Sequence, residues 1–327
     1  VMNHILCVGE SIIDFISLEN GKRLEDVSAY TRQPGGSSAN VSIGLSRLNT
    51  PVSFTGIIGD DYFGRFLEKH LKDNNIDCSL LKKTEKYNTP IVFVSLDECG
   101  NNHFFFYRDF KLGNEYKINR KDLKLVNEVK ILHFSSVILK QVNFRLQLTK
   151  LIDTIKFKNQ GLIHFDTNIR FGLWSNQNEL RNLVIQFIKL SDVVKFSEKE
   201  IYFVTGENDI FEALEHKLLK NKIAIVTGGA AGAYTIFKGQ KIHIPAPQVE
   251  NIVDTTGAGD AFVAAFLSIL YKNKIYNIHD FDEIDETQLC YWLKFATAAG
   301  TLNCLQRGAT AGMTDENNII KFLNKFS

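Results

Sequence analysis

No apolar run in this 327-residue chain is long enough to cross a bilayer, and its N-terminus reads as a strand rather than a signal peptide. The expectation is a cytoplasmic protein without a membrane partner. Net charge is only +1, so no excess of basic residues points to nucleic acid. The five cysteines (Cys7, Cys78, Cys99, Cys290 and Cys304) are scattered, odd in number and in no metal-ligand spacing, as expected of reduced, buried thiols. The eight histidines do not cluster and no His-Glu-x-x-His occurs, which excludes the common zinc hydrolases. Missing too are the Gly-x-x-x-x-Gly-Lys-Ser/Thr P-loop and the Gly-x-Gly-x-x-Gly dinucleotide fingerprint. The run Tyr107-Arg108-Asp109-Phe110-Lys111-Leu112-Gly113-Asn114 imitates a protein-kinase catalytic loop, but no Asp-Phe-Gly exists anywhere. Repeats, low-complexity tracts and linkers are absent. With 44% hydrophobic and 23% charged residues, the chain has the make-up of an ordinary globule with a substantial core.

What is present centres on Asp254-Thr255-Thr256-Gly257-Ala258-Gly259-Asp260-Ala261-Phe262, which leads into an apolar, helix-like stretch to Leu270. Glycines at 257 and 259 permit a tight loop whose backbone N–H groups converge on one point. The positive end of the following helix would aim there too, so an anion is expected. A carboxylate beside an anion site suits proton removal from a hydroxyl that attacks a phosphoryl group. The bland alternative is a Gly-rich turn whose aspartates cap a helix. Asp260 lies inside the first turn rather than at the cap, and a second glycine pair occurs at Gly35-Gly36, which favours the chemical reading.

Short β-branched runs alternate with helical patterns. Strands are expected at His4–Val8, Val52–Ile57, Ile131–Phe134, Leu162–Asp166, Val193–Phe196 and Ala224–Thr227. Helices are expected at Ala39–Leu48, Phe63–Asp73, Phe144–Lys156 and Glu179–Leu190. This alternation predicts an α/β fold with a mainly parallel central sheet and helices on both faces. Ligands would gather at the carboxyl ends of its strands. Phe15–Gln33 and Thr89–Arg108 break the rhythm, the second reading as a hairpin of Ile91–Leu96 and His103–Tyr107. The expectation is one domain over 1–327 with a small β lid formed by about 15–33 and 89–108. A cover of this kind excludes water during phosphoryl transfer, and its exposed edges suit a homodimer.

The run at 254–262 resembles the C-terminal signature of the PfkB (ribokinase-like) carbohydrate kinases. Gly35-Gly36-Ser37-Ser38-Ala39-Asn40, followed by Gly56-Ile57-Ile58-Gly59-Asp60 and Gly64, resembles the N-terminal one. The two lie more than 200 residues apart in the expected order, and with the motifs between them they span essentially the whole chain. Phe165-Asp166-Thr167-Asn168-Ile169-Arg170, then Leu173-Trp174, is similar to the Asp-Pro-Asn-Leu/Ile-Arg…Leu-Trp stretch of the fructokinase branch, with Thr167 replacing proline. Phe106-Tyr107-Arg108 resembles the end of the lid hairpin in fructokinases and 2-keto-3-deoxygluconate kinases. Ser37 stands where ribokinases carry a lysine, which argues against ribose.

The resemblance implies a ribokinase-like three-layer fold and an ATP-dependent sugar kinase, with D-fructose phosphorylated at its 6-hydroxyl. The alternative is 2-keto-3-deoxygluconate kinase, and a non-catalytic sugar-binding protein is the reading from another class. Asp260 is the implied base, with the amides of Gly257, Ala258 and Gly259 as anion hole. Asp14, Gly35, Gly36 and Asn40 would hold the sugar, with Phe106, Arg108 and Arg170 as further contacts. Against these stand ordinary roles: a strand-end cap for Asp14, a helix surface for Asn40, plain core for Phe106 and solvated charge for each arginine. Lys195, Thr227, Gly229, Gly232, Asn303 and Gly308 are implied on the nucleotide side. Ser197-Glu198-Lys199-Glu200 resembles Asn-x-x-Glu, whose glutamate, here Glu200, helps hold the water shell of Mg²⁺; the competing account is acids in a first helical turn. Asp254 and Thr256 match part of a monovalent-cation site, with K⁺ as the expected ion.

Overall fold

The computed structural model describes residues 4–19, 21–96, 102–107 and 111–326. Its strands are β1 His4–Val8, β2 Ile12–Ser17, β3 Tyr30–Gly35, β4 Val52–Thr55, β5 Ile57–Gly59, β6 Lys82–Thr84 and β7 Ile91–Leu96. They continue as β8 Asn102–Tyr107, β9 Val129–Ser135, β10 Leu162–Asp166, β11 Val193–Ser197, β12 Ile223–Thr227, β13 Ala233–Phe237 and β14 Gln240–Ile244. The helices are α1 Ser37–Arg47, α2 Tyr62–Asp73, α3 Arg120–Leu125, α4 Val142–Asn159 and α5 Gln177–Leu190. After them come α6 Glu198–Thr205, α7 Ile210–Glu215, α8 Ala258–Lys272, α9 Glu286–Asn303 and α10 Glu316–Leu323.

Eight strands form the main sheet in the order β14-β13-β12-β11-β10-β9-β1-β4. From β12 to β4 every pairing is parallel, and only the β12–β13–β14 edge is antiparallel. Alternation along the strands sorts the core into two layers. Ile5, Ile131, Leu162, Val193 and Ile223 pack toward α1, α8 and α9. Leu6, Leu132, Ile163, Val194 and Ala224 pack toward α4, α5 and α6. This three-layer arrangement follows from strands that bury both faces. Strand order reverses between β1 and β9, so a crevice opens beyond their carboxyl ends, where such sheets place ligands.

A second sheet, β3-β2-β7-β8, contains the two segments that interrupt the rhythm. The expected hairpin is present as antiparallel β7 and β8, with Ile91 opposite Tyr107 and Leu96 opposite Asn102. Its turn, and Arg108, lie outside the described residues. One expectation needs correction: Val52–Ile57 is not one strand. The chain leaves the main sheet at Gly56, where a Cβ would strike the Gly9 carbonyl oxygen, and continues as β5 against β6. Among the described residues, no helix is long and apolar enough to cross a membrane.

Candidate active site

Gly257 caps α8 at φ +75°, in the left-handed region. A Cβ there would strike the Ala309 carbonyl oxygen, so glycine is required on two counts. The loop before it is pinned from both sides. Asp254 Oδ1 accepts from the Thr256 N–H at 2.8 Å and its Oδ2 from the Gly308 N–H at 2.9 Å. Asn303 donates through Nδ2 to the carbonyls of Thr256 and Ala309, each at 3.0 Å, and accepts from the Gly312 N–H at 3.1 Å. Asn303 is thus a fully buried clamp of the loop. The start of α8, where a helix leaves N–H groups without intrahelical acceptors, is thereby held in place, although the Ala258 N–H already reaches the Thr255 carbonyl at 3.3 Å. Gly257→Ala is expected to cost about 2 kcal/mol or more and to lower kcat through displaced amides. A thermal melt within about 1 °C of wild type together with full turnover would contradict this.

Asp260 lies in the first turn of α8 and is 7% exposed. Its Oδ1 accepts from the Ser37 hydroxyl at 2.7 Å and its Oδ2 from Asn40 Nδ2 at 2.8 Å. Burial pushes its carboxyl above the usual range, while the bonds from Asn40 and Ser37 and the charges of Arg170 and Lys195 pull it back. Asp14 on β2 and Glu10 in the β1–β2 turn are also driven up by burial, each to about 7, and Arg170 offsets both. Gly35 leaves room for Asp14, whose carboxylate a Cβ would strike. Gly36, at φ +106°, sits against the Glu10 carbonyl in the same way. Asp14, Gly35, Gly36, Asn40, Arg170 and Asp260 therefore converge where α1, α8 and the second sheet meet. Phe106 packs with Ile12, Val92 and Val94 in the sheet's small core, and the Phe104 ring approaches Arg170, at 5.8 Å.

Lys195, in the middle of β11, reaches toward the first turn of α8. Its Nζ lies 3.1 Å from where a Cβ on residue 259 would stand and 3.2 Å from Asp166 Oδ1. Burial opposes its charge, but Asp166, Glu200 and Asp260 outweigh that and hold its pKa above the ordinary lysine value. Among the described residues neither Asp166 oxygen has a well-aligned hydrogen bond, so the lysine at 3.2 Å compensates the carboxylate chiefly through its charge. Burial raises Asp166 to about 7. Glu200 is held by hydrogen bonds. Its Oε2 accepts from the Ser197 N–H at 2.6 Å and the Thr167 hydroxyl at 2.9 Å, and its Oε1 from the Ile169 N–H at 2.6 Å. Oε1 accepts only the Ile169 N–H among these bonds and keeps a lone pair that a metal-bound water could use. Among the described residues, no group of three or more His, Cys, Asp or Glu side chains could hold a metal ion.

Beyond Gly259 a cavity of about 350 Å³ runs along Thr227, Gly229, Gly232, Thr255 and Ala258 to Val249 and Ile252. Three of the expected nucleotide-side residues line it; Lys195 faces the anion loop at its end, while Asn303 and Gly308 shape that loop from behind. A larger cavity of about 670 Å³, between Lys86–Ile91, Tyr107 and Leu112, does not include Asp260.

Residues 2–316 match the pfkB family of carbohydrate kinases. The chain belongs to that family. Fructokinase-1 of Zea mays is 30% identical to this PfkB kinase over 323 residues, 98% of each chain. Among solved structures, an uncharacterized sugar kinase from Pyrococcus horikoshii in complex with ATP is similar at TM-score 0.81 and 32% identity, covering 99% of this chain and 100% of that one. A double mutant of fructokinase from Vibrio cholerae O395, in its fructose, ADP and potassium ion bound form, superimposes at TM-score 0.82 with 30% identity and 98% coverage of both chains. The fold is ribokinase-like, and the protein is a PfkB carbohydrate kinase.

Proposed function

We propose that this kinase is a fructokinase that moves the γ-phosphate of ATP to the 6-hydroxyl of D-fructose. The observation that carries the reading is the position of Asp260. It stands between the cavity that begins at Gly259 and the cluster of Asp14, Gly35, Gly36 and Asn40. The nucleotide would lie along Thr227, Gly229 and Gly232 with its terminal phosphate at the α8 amides and Lys195. Asp260 takes the proton of the sugar hydroxyl as that oxygen bonds to phosphorus, and oriented amides meet the charge on the transferred group. Mg²⁺ would arrive on the nucleotide's phosphates, keeping most of its waters. Asp254 and Thr256 frame the place for a monovalent cation beside the loop.

A neutral sugar is favoured by the charges around Arg170. Its guanidinium acts on the acidic groups Glu10, Asp14 and Asp260 together, so a sugar acid would have to compete with them for its positive charge. The test is a phosphorylation assay with Mg-ATP on a sugar panel, with and without K⁺. Fructose is expected to give the highest kcat/KM, and K⁺ to raise it. Preference for 2-keto-3-deoxygluconate would overturn the substrate, and no transfer to any sugar would overturn the reaction.

A further inference from the structure

Ser37 opens α1, is 6% exposed, and gives its hydroxyl proton to Asp260 Oδ1 at 2.7 Å. Ser37 Oγ in turn accepts from Asn168 Nδ2, also at 2.7 Å. A hydroxyl has a single proton, so a donor seated on its lone pair leaves that proton for the carboxylate. The chain of bonds therefore runs one way, from amide to hydroxyl to carboxylate. Each link is anchored on a different element. The Ser37 N–H donates to Glu10 Oε1 at 3.0 Å, which fixes the start of α1. Asn168 adopts φ +31° in the turn after β10, and Glu200 from α6 grips that turn on both sides, through Thr167 and Ile169.

We propose that Ser37, oriented by Asn168, is a positioning residue that fixes the Asp260 carboxylate and donates to its anionic form. The proposal rests on Asp260 acting as the base. Burial favours the neutral acid there, and a protonated carboxyl cannot take a proton from an alcohol. Facing Asp260, Arg170 from the turn after β10 and Lys195 from β11 favour the anion. Glu10, Asp14 and Asp166 are like charges that oppose it. The remaining support comes from two neutral donors, Asn40 and Ser37, and only Ser37 has a second residue holding its proton in place.

The test is the pH profile of kcat/KM, with the sugar that wild type turns over best, for Ser37→Ala, Asn168→Gly and the double variant. Glycine accepts the positive φ of residue 168, so the turn is kept while the amide is lost. Ser37→Ala is expected to lose about tenfold at pH 6 and much less at pH 8.5, the worth of one bond to a charged group. Asn168→Gly should lose less at pH 6 in the same direction, and the double variant should match Ser37→Ala, because both act through one chain. Thermal melts establish that each variant is folded. Profiles that keep the wild-type shape would overturn the proposal. So would a Ser37→Ala enzyme faster at every pH, since the hydroxyl would then be occupying the acceptor's place. An active Asp260→Asn enzyme would overturn the base assignment itself, which is a separate outcome from an inactive one paired with an unshifted Ser37→Ala profile.

Discussion

Asp260→Asn is expected to lower kcat by about a thousandfold, within the range that a positioned general base contributes. The amide keeps the size of the carboxylate and can still accept from Ser37 or Asn40, so the fold around it should persist. What it loses is a place for the proton that leaves the sugar hydroxyl as the phosphoryl group arrives. Binding of the sugar, held by Asp14 and the Gly35–Gly36 backbone in the proposed reading, should change little. A kinetic comparison beside calorimetric titration of the sugar separates the two effects. Retention of more than a few per cent of wild-type turnover, on the order of a contaminant or a weak alternative base, would remove Asp260 from the mechanism. The wild-type acid limb carries a second expectation. Because burial raises the Asp260 carboxyl, activity should begin to fall at a higher pH than an exposed aspartate would give.

Much of the frame that holds Asp260 was legible in local sequence. β1 and β10 occupy the expected residues because each is a short apolar run ended by turn chemistry. The loop from Asp254 to Gly257 was legible because Gly257 does backbone work that other residues cannot. Two kinds of feature escaped. α9 packs Leu289, Trp292, Phe295, Ala296 and Ala299 against α8 and the sheet, and from Phe295 to Gly300 it is buried on every side, so the exposed positions Gln288, Tyr291 and Lys294 mark its period only in the first half. The break at Gly56 depends on a carbonyl at Gly9 that no local pattern reveals.

The site shows the same division. Asp260 and Asn40 announce themselves through motif spacing, whereas Ser37 was informative only as the absence of a lysine. Its partner on α8 is far away in sequence, and nothing in the residues around 37 states that a hydroxyl there meets a carboxylate. Glu200 is the converse. Its motif suggested a metal's water shell, but the residue also satisfies a capping box with Ser197 and braces the turn containing Asn168. Thr167 supplies what proline would lack there, an N–H to the Lys195 carbonyl at 3.0 Å and a hydroxyl to Glu200.

Lys195→Met carries the other large expected effect. In the proposed reading its ammonium stands under the α8 amides, where negative charge is concentrated on the transferred phosphoryl, with Asp166, Glu200 and Asp260 holding it charged against its burial. Removing one preoriented donor of this kind costs about a hundredfold to a thousandfold in kcat. The variant also strands Asp166, and breaking a buried pair can destabilise by about 3–5 kcal/mol. That penalty is limited here, because the Asp166 carboxyl already sits at about 7 and can take up a proton near neutrality. Lys195→Met/Asp166→Asn separates the roles: a neutral amide needs no cation, so the melting temperature should recover while kcat stays low. If the double variant restored turnover along with stability, the lysine would be a counter-ion to Asp166 and nothing more. A single variant within about threefold of wild-type kcat would lead to the same conclusion, since the amides of α8 would then suffice for the phosphoryl charge.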